Sequence, residues 1–127
     1  MEKQIKQIIE FHEKFKQTYS TKPTLLPLNE TTLRYNLAQE ELDEYEEACS
    51  NEDIVEVADS LADQLYILLG TVIKHGLQDK IIQAFDLVHQ NNMSKLDENG
   101  EPILREDGKI IKPKNFKPVD LKTLFEK

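Results

Sequence analysis

Glu40, Glu41 and Glu44 fall within QEELDEYEEA (residues 39–48), and Glu56, Asp59 and Asp63 within EVADSLADQLYILLG (residues 56–70); no Lys or Arg follows until Lys74. Like charges three or four residues apart destabilise a helix by a few tenths of a kcal/mol per pair, so a row of them calls for a compensating cation. Hard carboxylate oxygens without a nearby His or Cys suit Mg2+, with Mn2+ as a possible substitute. A di-iron carboxylate bundle would need Glu-x-x-His on two helices, and the nearest pattern here is Asp86 to His89. On residue types alone two readings stay open: a magnesium site, or the solvated faces of two helices.

Helical phase favours the first. At about 100° per residue, Leu33, Leu37, Ala38, Leu42, Tyr45 and Ala48 share one arc of the segment around residues 32–49. Glu41 falls inside that arc, with Glu40 and Glu44 along its edge, while Asp43, Glu46 and Glu47 point away. A carboxylate turned toward apolar neighbours is costly unless positive charge meets it. On the following helix Val57, Leu61, Leu65, Tyr66 and Leu69 make a wide apolar arc, bordered by a narrow stripe of Glu56, Asp59 and Asp63 with Gly70 beyond it. The turn SNED (residues 50–53) is short, so the two helices are expected to be antiparallel neighbours with their acidic stripes facing each other.

The elements that must position these acids read as follows. Ile5, Ile8, Ile9, His12, Phe15 and Tyr19 recur at helical spacing, predicting a first helix that ends before Pro23. TKPTLLPLNE (residues 21–30) is a connector, and the second helix starts near residues 29–32 and runs to about 49. Ser50 and Asp53 have the spacing of a capping box for a third helix that reaches about residue 75 and stops at Gly76. A fourth, about 78–91, is expected to bury Ile81, Ile82, Phe85 and Val88. Beyond residue 95 turn residues take over, and PILREDGKII (residues 102–111) reads as a small β-hairpin around Asp-Gly. The expected fold is an all-α antiparallel bundle of four main helices in one domain (1–127), a helical body over about 1–95 and a hairpin-bearing tail over 96–127.

Net charge is -8, and its placement is uneven: residues 1–94 carry 8 basic and 17 acidic side chains, residues 95–127 carry 8 and 7. An acidic body argues against a nucleic-acid polymer as partner, since phosphate-backbone affinity needs clustered Lys and Arg. Cys49 is the only cysteine, which excludes an intramolecular disulfide and fits a reducing cytoplasm. The longest apolar run, LYILLGTVI (residues 65–73), is shorter than the ~20 residues of a membrane-spanning helix, and the start has no signal-peptide core; a soluble cytoplasmic protein without a membrane partner is expected. Among the isolated candidates, His12 reads as a core residue, Tyr66 as core packing with its hydroxyl near the site in preference to base stacking, His75 as a helix C-terminal cation, and Arg34 as a salt-bridge partner. Asn92 reads as a helix cap or a pocket contact. Of the basic residues in the tail, Lys95 beside the fourth helix is the one favoured for phosphate contact.

Glu41-x-x-Glu44 followed by Glu56-x-x-Asp59 on the next helix resembles the paired acidic motifs of the all-α nucleoside triphosphate pyrophosphohydrolases, the MazG-like and phosphoribosyl-ATP pyrophosphohydrolase-like group. EFHEKF, EELDEYEEA, EVADSLADQLYILLGT and NNMSKLDENGEPILREDGKIIKPKNF extend the likeness across nearly the whole chain; the stretch between the motifs, residues 45–55, is short for the group. The resemblance implies that Glu41, Glu44, Glu56 and Asp59 bind Mg2+, with Asp63 as a further ligand or the support of one. It implies that Glu40 or Glu41 positions the attacking water, and that Asn92 and Lys95 contact phosphate or base. Its implied reaction is hydrolysis of a nucleoside or deoxynucleoside triphosphate to the monophosphate and pyrophosphate, in nucleotide-pool cleansing, by a homodimer or homotetramer that completes the bundle. Phosphoribosyl-ATP is the alternative substrate, and a non-catalytic oligomerisation module with structural ions the alternative function.

Overall fold

The computed structural model describes residues 1–126; Lys127, the end of the expected tail, lies outside the described residues. The architecture is all-α: α1 (Glu2–Lys14), α2 (Leu28–Ser50), α3 (Ile54–Lys74) and α4 (Ile81–Met93), followed by one turn of 3-10 helix, Lys122–Phe125. The chain divides into two compact units, Met1–Asp79 and the part from Lys80 on. The first contains α1 to α3 and all six acids singled out above.

Three helices end in the same way. Lys16 (φ 56), Glu52 (φ 53) and Gly76 (φ +68) each adopt the left-handed conformation just past a helix. At each, the residue's own N–H and the next one reach back to two carbonyls of the last turn: Lys16 to Glu13 and Gln17 to His12, Glu52 to Cys49 and Asp53 to Ala48, Gly76 to Ile73 and Leu77 to Val72. These are Schellman closures, which satisfy carbonyls that the helix end leaves orphaned. The closure at Lys16 is why α1 stops at Lys14 and does not continue toward Pro23. Tyr19, expected on that helix, lies beyond it and donates its hydroxyl to Glu13 at 2.8 Å. Gly76 is needed for a second reason, because a Cβ there would lie 2.0 Å from the Lys22 carbonyl oxygen.

The closure at Glu52 also decides how α3 begins. It leaves Asp53 extended as the N-cap, its carboxylate accepting from the N–H groups of Val55 (3.1 Å) and Glu56 (3.2 Å). Ser50, expected to open the capping box, is instead the last residue of α2. With only residues 51–53 between them, α2 and α3 pack antiparallel: Arg34 near the start of α2 bonds to Ile67 and Thr71 near the end of α3. α1 lies against α3 and buries Ile5, Ile8 and His12. The connector is stitched beside it by Ser20 N–H to Ile73 O (3.0 Å) and Thr24 N–H to His75 O (2.8 Å). The buried apolar residues among those described are Ile5, Ile8, Ala48, Leu69, Val72 and Ile73.

In the second unit α4 has no buried residue: of the face expected to be buried, Ile81 and Ile82 are half-buried, while Phe85 is 60% exposed and Val88 exposed as well. Lys80 donates to the Leu124 carbonyl and Asn91 to that of Lys117 (2.8 Å), tying α4 to the tail. The expected hairpin is one antiparallel bridge, Leu104 to Ile110, with no strand beside it among the described residues. Two strands without a sheet or helix to cover them are marginal at best. Among the described residues no helix is long and apolar enough to cross a membrane.

Candidate functional site

α2 and α3 bring Glu41, Glu44 and Asp63 together: each offers a carboxylate oxygen, and the three lie within 4.8 Å of one another. Glu41 and Glu44 share one face of α2 because they are three residues apart, and the antiparallel register sets Asp63 opposite them. Glu41 is half-buried, and its Oε2 is buried without a hydrogen-bond partner. Burial pushes the Glu41 carboxyl above its usual range, and the neighbouring carboxylates of Glu44, Asp63 and Glu40 push it the same way. A buried acceptor facing two other carboxylates is the environment a cation relieves.

Of the other expected site residues, Glu40 is exposed at the edge of this group, and Glu56 and Asp59 are exposed nearer the start of α3, outside the three-residue cluster. The latter pair stands one to two turns from Asp63. In the second unit Asn92 is exposed, and the Lys95 ammonium stands over the Phe116 ring, 5.8 Å from its centroid.

The donor set fits a hard divalent cation. All three members of the cluster are carboxylates, no His or Cys joins them, and one oxygen is buried with nothing to satisfy it. Oxygen-only donors are the preference of Mg2+ and Mn2+.

Along the same groove, one turn from Glu41 and Asp63, Leu37 and Tyr66 begin a pocket of about 360 Å³ that Phe11, Phe15, Arg34 and Gly70 help to line. Phe11 and Phe15 are stacked at 4.5 Å, and Tyr66 meets Phe11 edge-on at 5.6 Å. Tyr66, expected in the core, is 43% exposed here. Arg34 pairs with no acid among the described residues, contrary to its reading as a salt-bridge partner; its Nε donates to Thr71 Oγ1 (2.9 Å) and its Nη2 to the Ile67 carbonyl (2.6 Å). This aromatic pocket was not read from the sequence. The available signal was Gly70, since a glycine inside a helix usually marks a close approach. On the opposite face of α2 and α3 lies an apolar cavity of about 670 Å³, lined by residues that include Tyr35, Leu42, Leu61, Leu65 and Leu68.

The all-helical body thus sets three facing carboxylates one turn from an aromatic pocket. The family of phosphoribosyl-ATP pyrophosphohydrolases matches residues 8–92, about two thirds of the chain and the span from α1 to nearly the end of α4. The chain belongs to that family, within the MazG-like group of enzymes acting on phosphoric anhydride bonds. No curated protein matches the sequence.

Proposed function

We propose that the protein is a Mg2+-dependent nucleoside triphosphate pyrophosphohydrolase, releasing pyrophosphate and a nucleoside or deoxynucleoside monophosphate in the cleansing of nucleotide pools. The observation that carries this is the Glu41, Glu44 and Asp63 cluster with its unsatisfied buried oxygen, in a chain of this family. Glu41, Glu44 and Asp63 hold the cation, joined by Glu56 and Asp59 from the start of α3. When bound, Mg2+ or Mn2+ supplies charge compensation to the triphosphate and acidity to a coordinated water. Glu40, at the edge of the cluster, orients the attacking water and accepts its proton, with Glu41 as the other residue able to do so. The water oxygen forms a bond to the α-phosphorus as the α–β anhydride bond breaks, and pyrophosphate leaves. Asn92 and Lys95 serve as phosphate or base contacts. The exposed apolar face of α2 and α3 is covered by a second copy, making a homodimer or homotetramer.

The family's description favours a second reading, in which phosphoribosyl-ATP is the substrate of the same bond cleavage. One experiment separates the two: pyrophosphate release from a panel of canonical and modified nucleoside triphosphates together with phosphoribosyl-ATP, in millimolar Mg2+ and again with EDTA. Metal-dependent release from a triphosphate with the monophosphate as product is the expected result. Release from phosphoribosyl-ATP alone selects the second reading. Silence across the panel, with Mg2+ still raising the melting temperature, overturns both in favour of a structural ion site.

A further inference from the structure

Gly70 brings two polar side chains to one point of the aromatic pocket. A Cβ on Gly70 would sit 2.6 Å from Arg34 Nη2 and 3.6 Å from His12 Cε1, so both side chains crowd the space a larger residue would fill. Arg34 spends two N–H groups on Thr71 Oγ1 and the Ile67 carbonyl. A guanidinium carries five, in a fixed planar fork, which leaves donors for a ligand. The state of His12 follows from its partner. Its Nδ1 lies 2.9 Å from the Ile8 carbonyl oxygen, which only accepts, so Nδ1 carries the proton and a neutral ring keeps Nε2 as an acceptor. A cationic donor and a neutral acceptor therefore stand together at the floor of a pocket walled by Phe11, Phe15 and Tyr66.

Aromatic walls stack on any base, whereas a donor beside an acceptor reads one edge pattern. A ring carbonyl next to a ring N–H, as in uracil, thymine, guanine and hypoxanthine, offers an acceptor to Arg34 and a donor to His12. Cytosine and adenine present a ring nitrogen acceptor where the N–H would be, and face the lone pair of Nε2. The position is right for a base: the pocket begins at Leu37 and Tyr66, one turn from Glu41 and Asp63, so phosphates held at the carboxylates would leave the base pointing along the groove.

Resting on the proposed triphosphate hydrolysis, we infer that Arg34 and His12, set around Gly70, form a base-reading pair that selects nucleotides whose base carries a carbonyl beside a ring N–H. The test compares dUTP, dTTP and dGTP with dCTP and dATP in two readouts: kcat/KM in Mg2+, and equilibrium binding of α,β-imido dUTP and dCTP, which are not cleaved. The expected preference for the carbonyl bases is roughly tenfold or more, the size of discrimination by one well-placed hydrogen-bonding pair. Arg34→Lys should bring the ratio toward one in both readouts. Gly70→Ala, which displaces the guanidinium without removing it, should do the same. If Arg34 serves only to tie α2 to α3, either variant lowers all five nucleotides in parallel and leaves the ratio intact, which overturns the inference. So does a wild-type protein that treats the two base classes alike. Absence of any turnover combined with discriminating binding would count against the hydrolase reading while leaving the base-reading pair standing.

Discussion

Glu41 is where the charge balance of the site is decided, because one of its oxygens is buried without a partner and three like charges surround it. Glu41→Gln keeps the shape and removes one charge. In Mg2+ the variant should lose about 100-fold or more in kcat/KM, since loss of a residue that merely supports a ligand already costs 10- to 100-fold. In EDTA it should melt a few degrees higher than the wild type, because about 1 kcal/mol of relieved repulsion shifts a domain of this size by that much. Opposite signs in the two assays are the signature of a cation site; a lower melting temperature in EDTA would mean that Glu41 makes a structural contact instead. Glu41's inward phase was legible in the sequence because the helical period fixes which residues share an arc. The nearness of Asp63 to Glu41 and Glu44 depended on the register of α3 against α2, which periodicity along one helix does not set.

At the scale of elements, three helices use one closure, but only Gly76 announces it. Lys16 and Glu52 occupy the left-handed conformation without a glycine's freedom, and neither residue type marks a helix end in a sequence, so α1 reads too long and Ser50 reads as the opening of the α3 capping box. The cap at Asp53 has a measurable consequence: Asp53→Ala should cost about 0.5–2 kcal/mol of stability, read as a lower urea midpoint with an unchanged m-value. The docking of α1 brings a pH dependence. Burial lowers the pKa of His12 below 6.5, against the opposing hydrogen bond to Ile8, while Lys74 and Arg34 add to the lowering. The unfolded chain therefore takes up the proton first as pH falls, and stability contributed by neutral His12 is complete above 6.5 and declines below it until the folded pKa is reached. Urea unfolding at pH 5.5 and 7.5 should show a loss of stability on acidification that is smaller in His12→Asn. An equal loss in both proteins would assign the acid sensitivity to other groups.

For the whole molecule, the question is what a chain of 127 residues does with so few buried apolar side chains. The four-helix, all-α content follows from periodicity and is as expected, but periodicity cannot tell whether an apolar stripe meets its own chain or another. Phe85 and Val88 on α4, and Leu42, Leu61, Leu65 and Leu68 on the α2 and α3 pair, all have the pattern of core positions and are exposed. An exposed apolar surface of this extent marks an interaction site more often than a free surface, and the cavity of about 670 Å³ between α2 and α3 gives side chains of a partner somewhere to insert. Leu65 lines that cavity and is 58% exposed, so it supports little in the single chain and would be covered in the proposed assembly. Leu65→Asp should therefore shift the sedimentation coefficient from that of a dimer or tetramer to that of a 14.8 kDa monomer, with helical circular dichroism largely kept. A buried unpaired carboxylate at an interface costs several kcal/mol, enough to dissociate a dimer of ordinary affinity. If the variant and the wild type sediment alike as monomers, the open face belongs to a different partner, and the proposed self-association falls while the carboxylate site on the other face of the same helices is untouched.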